Sequence, residues 1–102
     1  MREKLSPETV REHLDRLSGW RELPGRDAIR KTYQFKNFSE AFGFMTRVAM
    51  MAEKLDHHPE WTNIYNRVDI ILSTHDAKGV TETDFVLAQA ADQAALGNRP
   101  LD

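Results

Sequence analysis

Four histidines are the residues best suited to chemistry in this 102-residue chain: His13, His57, His58 and His75. Imidazole, with an ordinary pKa of about 6.5, can give or take a proton near neutral pH. His57-His58-Pro59 falls where a helical pattern stops, and Thr74-His75-Asp76 falls where a strand pattern stops. Side chains at element ends project beyond the packed layer, so the two segments can converge on one pocket. Glu53 precedes His57 by one helical turn, on the same face if that turn persists. Three readings suit such a group. The residues can exchange protons without a metal. His57, His75 and a carboxylate (Glu53, Asp76 or Asp84) can bind zinc or iron. Or the histidines can simply cap a helix and a strand. Spacing leaves all three open. His13, among Arg11, Glu12 and Asp15, reads as a solvated helix residue.

The elements that must carry these residues follow from periodicity and punctuation. Ser6-Pro7-Glu8 opens a first helix with an N-cap hydroxyl and Pro at N1; its stripe is Val10, Leu14 and Leu17, and Gly19 stops it. Residues 20–23 and 28–36 read as a hairpin around Pro24-Gly25-Arg26-Asp27, with Ile29, Tyr33 and Phe35 on one face. A long helix is expected from about Ser39 to about Asp56 on the stripe Phe38, Ala41/Phe42, Met45, Val48/Ala49, Ala52 and Leu55. Phe44 and Met51 fall off that stripe and suggest a second apolar face. Pro59 disfavours helix at His58, so the helix ends near His57.

A second hairpin follows, with Ile64 and Tyr65 in a short strand, a bend at Asn66-Arg67, and Val68, Ile70 and Leu72 alternating inward. After a loop from Thr74 to Gly79, Thr81 to Asp84 resembles a capping box, opening a helix that turns Leu87, Ala91 and Ala94/Ala95 inward. The order is α-β-β-α-β-β-α. This predicts a two-layer α+β fold, an antiparallel four-stranded sheet with helices on one face.

Composition narrows the function. The length suits one domain over residues 1–102, with residues 1–5 and 97–102 loosely held. Fourteen basic against sixteen acidic residues leave a net charge of −2, unlike the clustered positive charge of a nucleic-acid or anionic-membrane binder. The absence of cysteine excludes thiol catalysis, disulfides and Cys-based zinc sites. No signal-peptide core opens the chain, and no apolar run approaches the ~20 residues of a membrane span. A cytoplasmic location is expected.

Three segments together carry a resemblance: Glu53-Lys54-Leu55-Asp56-His57-His58-Pro59-Glu60-Trp61, Ile64-Tyr65-Asn66-Arg67-Val68 and Leu72-Ser73-Thr74-His75-Asp76. They resemble the signature of the pterin-4a-carbinolamine dehydratases. Gly25-Arg26-Asp27-Ala28-Ile29 and Phe42-Gly43-Phe44-Met45-Thr46-Arg47-Val48-Ala49 also resemble segments of that family, so the likeness runs from about Trp20 to Ala95. One departure is Lys78, where many members have glycine.

The resemblance implies a lyase that dehydrates 4a-hydroxytetrahydropterin to quinonoid dihydropterin. That reaction recycles a tetrahydrobiopterin-type cofactor for aromatic amino acid hydroxylases. No metal or redox cofactor is implied. By resemblance, His57 and His75 match the acid/base histidines and His58 one that helps hold the pterin. Glu53 matches an active-site carboxylate and Asp84 a polar group near the substrate. Trp20 and Trp61 are candidate walls for a flat ring, or core aromatics. Glu53 and the helix C-terminus are expected to steady a protonated His57 and suit it to donate to the departing hydroxyl. Expected partners are the pterin, a second copy in a homodimer or homotetramer, and a hydroxylase in the same pathway, with no nucleic acid or membrane. The alternative is a coactivator role, since some members of the family also serve as dimerisation cofactors of a hepatocyte transcription factor through a helical surface.

Overall fold

Local chemistry starts each helix where the sequence places it. A computed structural model describes residues 2–97. Ser6 Oγ accepts from the Thr9 N–H at 3.2 Å and opens α1 (Pro7–Asp15). The Asn37 side chain does the same for Glu40 at 2.9 Å and opens α2 (Phe38–Leu55). At α3 (Glu82–Leu96) the Asp84 carboxylate reaches back to the Thr81 N–H at 2.8 Å. Caps of this kind satisfy backbone donors that the first turn leaves without partners.

Between the helices run β1 (Arg21–Glu22), β2 (Ile29–Gln34), β3 (Glu60–Ile64) and β4 (Arg67–Leu72). They form one antiparallel sheet in the order β1-β2-β4-β3, with Ile29 opposite Leu72 and Trp61 opposite Ile70. The expected α-β-β-α-β-β-α order and α+β class are therefore observed. Ile29, Tyr33, Val68, Ile70 and Leu72 point to one face and are buried with Phe44, Val48, Leu87 and Ala91 of α2 and α3. Alternate residues Arg30, Thr32 and Gln34 are exposed on the other face.

Four local expectations are corrected. The buried stripe of α2 is Ala41, Phe44, Val48 and Ala52, while Phe38, Phe42 and Ala49 are exposed. Phe44 is thus core, 0% exposed, with its ring 4.7 Å from Tyr33 and 4.8 Å from Phe35. The helix is apolar on more than one side, so periodicity gave no sharp direction.

The second hairpin bends at Tyr65-Asn66, one residue earlier than expected, because Ile64 still pairs with Arg67 and Tyr65 takes a positive φ of 51°. His13 is not simply solvated: its ring bonds Glu82 at 2.8 Å and meets the edge of Phe85, tying α1 to α3. Residues 2–5 are not loose. Leu5 N donates to Val80 O at 2.8 Å, Lys4 pairs with Asp27 at 3.2 Å, and Arg2 reaches the end of α2. Met1 and residues 98–102, which include the rest of the C-terminal segment expected to be loose, lie outside the described residues.

Candidate active site

The end of α2 decides where each of its two histidines goes. Asp56 takes the left-handed conformation (φ 51°, ψ 46°), and the His57 N–H turns back to Ala52 O at 3.0 Å while Asp56 N–H bonds Glu53 O at 3.2 Å. This reversal of the chain past the last turn is a Schellman arrangement. It sends His57 inward, where it is 6% exposed, and leaves His58 outside. Glu53 therefore pairs with His58 Nε2 at 2.9 Å, not with His57 as expected. Both members of that pair are exposed, so the contact is a weak tether.

His57 instead meets Asp84 of α3, with Nε2 and Oδ1 2.5 Å apart and Asp84 wholly buried. The other Asp84 oxygen accepts from the Thr74 hydroxyl and the Thr81 N–H, each at 2.8 Å, and Thr74 and Thr81 hydroxyls bond each other at 2.8 Å. Both partners of Oδ2, the Thr74 hydroxyl and the Thr81 N–H, donate to it. A carboxylate so surrounded is an acceptor at both oxygens, so His57 Nε2 carries the hydrogen in that bond. Nδ1 is left on the side of Arg2, whose Nη1 lies 3.5 Å away.

His75 arrives from the end of β4. Thr74 and Gly79 exchange backbone bonds at 2.9 and 3.2 Å, and Lys78 N–H closes a turn onto His75 O at 3.1 Å. Lys78 takes a φ of 59° there. This is a conformation that glycine adopts more freely than lysine does. A Cβ at Gly79 would lie 2.7 Å from Asp27 Oδ2, so the Asp27 carboxylate would have to shift to admit a side chain there. Asp27 in turn accepts from Val80 N–H at 3.0 Å, and its carbonyl takes the Ser73 hydroxyl at 2.9 Å, so the loop bearing His75 is pinned at both ends.

The two element ends converge as expected. His57, His58 and His75, with Asp56, Pro59, Glu60, Asp76 and Arg2, line one open cavity of about 320 Å³. That is at the lower end of the roughly 300–1,000 Å³ of small-molecule sites. Arg26 makes a two-pronged salt bridge to Glu60 at its edge. This hydrogen bond holds the Glu60 carboxyl below its ordinary pKa, with nearby His75 acting in the same direction. Among the described residues, no three His, Asp or Glu side chains are grouped to hold a metal ion.

The remaining candidates fall elsewhere. Asp84 stands behind His57 and off the cavity wall, and Glu53 touches the group only through His58. Trp61 is half-buried on β3 and packs against the core. Trp20 is a core residue, 4% exposed, and its indole N–H bonds Asp92 at 3.2 Å. Neither tryptophan lines the cavity. Sequence reasoning missed Thr74, Thr81 and Arg2. Thr81 carried a capping signal; nothing local marked Arg2.

A profile of the family described as pterin 4 alpha carbinolamine dehydratase matches residues 3–94. The chain belongs to this family. A relative from Bradyrhizobium sp. (strain BTAi1), provisionally named a pterin-4-alpha-carbinolamine dehydratase, is 60% identical over 93% of this chain and 96% of its own. Another with that provisional name, from Burkholderia multivorans, is 55% identical over 95% of each chain. Among solved structures, a transcriptional coactivator/pterin dehydratase from Brucella melitensis aligns with a TM-score of 0.89 at 50% identity, covering 90% of this chain and 98% of its own. No helix among the described residues is long and apolar enough to cross a membrane.

Proposed function

We propose that this family member dehydrates 4a-hydroxytetrahydropterin to quinonoid dihydropterin by histidine acid/base catalysis, and so serves the recycling of a pterin cofactor for aromatic amino acid hydroxylases. The observation that carries the reading is the buried His57–Asp84 pair, whose histidine lines the cavity that His58, His75 and Arg2 share.

Loss of water from a carbinolamine needs one proton delivered to the departing hydroxyl and one removed from a ring nitrogen. His57 is held in one orientation by Asp84, leaving Nδ1 as its point of exchange. The His75 ring has no hydrogen-bond partner among the described residues and can serve the other transfer. His58, tethered by Glu53, is placed to hold the pterin at the rim. The Asp56, Glu60 and Asp76 carboxylates are acceptors for its amino and ring N–H groups. The test is turnover of chemically generated carbinolamine. Activity in the intact chain that drops in His57→Ala and His75→Ala supports the assignment; full activity in the double variant overturns it.

A second copy of the chain is the partner this reading favours. β3 pairs with β4 on one side only, and Phe38, Phe42, Met50 and Met51 of α2 are exposed. An open strand edge and an exposed apolar patch both favour association. Sedimentation at micromolar concentration should give a dimer or larger; a species of 11.8 kDa counts against it. The alternative partner-binding role through α2 loses one of its two supports, because Phe44 is buried.

A further inference from the structure

We propose that Arg21 and Arg30, side by side on the outer face of the sheet, bind the phosphate group of a small phosphate monoester. The site lies outside the histidine cavity, and it stands independently of the dehydratase reading.

Arg21 of β1 stands directly opposite Arg30 of β2 in the antiparallel register, so both side chains leave the same face of the sheet. Both are exposed. Like charges placed opposite each other destabilise a sheet. Here nothing offsets them: among the described residues neither guanidinium has a hydrogen bond or an ion pair. The acids on this face are already taken. One row across the sheet runs Arg21, Arg30, Ile71, Glu60, and both prongs of Arg26 hold Glu60. In the next row Asp69 accepts from the Thr32 hydroxyl at 2.5 Å and pairs with Arg67 at 3.4 Å.

Arg21, Arg30 and Thr32 line an open cavity of about 590 Å³, within the size range of small-molecule sites. Two other charged residues reach its edge, Glu22 and Lys31, and both belong to the opposite side of their strands. Glu22 stands opposite the inward-facing Ile29, and the Lys31 ammonium is held by Asp92 and by Ser18 O, each at 2.8 Å. The charge left over on the outer face is thus two positives, because a guanidinium stays charged and has donors only. A phosphate monoester carries close to two negative charges near neutral pH and presents three acceptor oxygens. Each planar guanidinium can bond two of those oxygens in parallel. A carboxylate brings one charge only. A nucleic acid needs a longer basic track than two side chains, since its affinity grows with the number of phosphates neutralised. Charge and donor geometry together select a single phosphate group.

The test follows the side-chain Nε–H resonances of Arg21 and Arg30 by ¹H–¹⁵N NMR near neutral pH in the intact chain. Phenyl phosphate, benzoate or sodium chloride is added at matched ionic strength. Phenyl phosphate should move both resonances with a Kd of about 1–10 mM, the strength of a few charge-assisted hydrogen bonds at an exposed site. Benzoate, the same ring with one charge, should bind roughly tenfold more weakly, the worth of about one such bond, and chloride should leave both resonances in place. Arg21→Gln and Arg30→Gln should each weaken phenyl phosphate binding about tenfold, read on the arginine that remains. The amide spectrum of each variant shows that it is folded. Equal responses to phenyl phosphate and benzoate overturn the proposal. So do matching shifts with chloride, or glutamine variants that bind as the parent does. The spectra need no turnover, so a chain inactive toward carbinolamine leaves this outcome unaffected.

Discussion

Two carboxylates on α3, Asp84 and Asp92, each collect three donors, and they differ in what those donors can do. Asp84 takes a histidine, a threonine hydroxyl and a backbone N–H. Asp92 takes the Trp20 indole at 3.2 Å, the Lys31 ammonium at 2.8 Å and the Tyr33 hydroxyl, all on Oδ1. Lys31 also lies 4.7 Å from the Tyr33 ring centroid and bonds Ser18 O at 2.8 Å. None of the Asp92 donors changes protonation near neutral pH. Burial, and then the bond to Asp92, pushes the Tyr33 hydroxyl well above its ordinary pKa. The Asp92 cluster is a clamp between the sheet and α3. The Asp84 cluster has similar wiring, but one donor is an imidazole that lines a cavity. A buried carboxylate marks chemistry only when a partner can exchange a proton with something outside.

That contrast is open to test by removing each side in turn. Replacing His57 or His75 with alanine should slow dehydration by ~10²–10⁴-fold, the usual worth of a positioned acid or base. His75→Ala should leave the denaturation midpoint near the parent's, whereas His57→Ala takes a partner from buried Asp84 and should lower it, so the rates are compared on folded protein. Asp92→Ala should do the opposite. It leaves the Trp20, Tyr33 and Lys31 donors without their acceptor at a mostly buried place, costing about 2–4 kcal/mol in urea denaturation, with turnover of the folded protein within about twofold of the parent.

Asp84→Asn sits between these extremes. An amide nitrogen facing His57 Nε2 would reverse which ring nitrogen holds the hydrogen, and kcat should fall about 10- to 100-fold, the usual cost of losing an orienting partner. A parent-like kcat would mean that the pair is structural, as at Asp92. Alkaline pH gives a smaller effect. The unfolded chain releases the Tyr33 proton near 10.0 while the folded chain holds it higher, so stability is intact below that pH and declines as pH rises above it. Tyr33→Phe should flatten that decline in denaturation midpoints measured across the range.

The smallest effect belongs to the Arg26–Glu60 pair. Glu60 has a folded pKa below its ordinary 4.5, so its contribution is present above that pH and is lost as pH falls through the folded value. Both side chains are more than one-third exposed, which limits the loss in Glu60→Gln to roughly 0.5 kcal/mol.

The order of elements, the antiparallel hairpins and the meeting of His57, His58 and His75 at two element ends were legible from the residues alone. Each rests on signals spanning a few positions: Ser6-Pro7, the capping pattern from Thr81 to Asp84, the alternation through Val68, Ile70 and Leu72, and Pro59 after two histidines. Backbone caps and β alternation act within one turn or one strand, so a linear reading captures them. The direction of α2 was not legible, because an apolar helix has several faces that could be buried and only the sheet beneath chooses Phe44 over Phe42.

Side-chain pairing was still less accessible. His57 joins Asp84 across 27 positions, Arg2 meets His57 across 55, and Trp20 meets Asp92 across 72. Glu53 was the nearer carboxylate, yet the left-handed turn at Asp56 rotated His57 away from it and into the interior. Local sequence thus determined which side chains stand at the ends of elements. The tertiary packing alone decided which nitrogen faces a carboxylate and which faces a cation, because a change of one residue's backbone angles swings the next side chain to the opposite side of the chain.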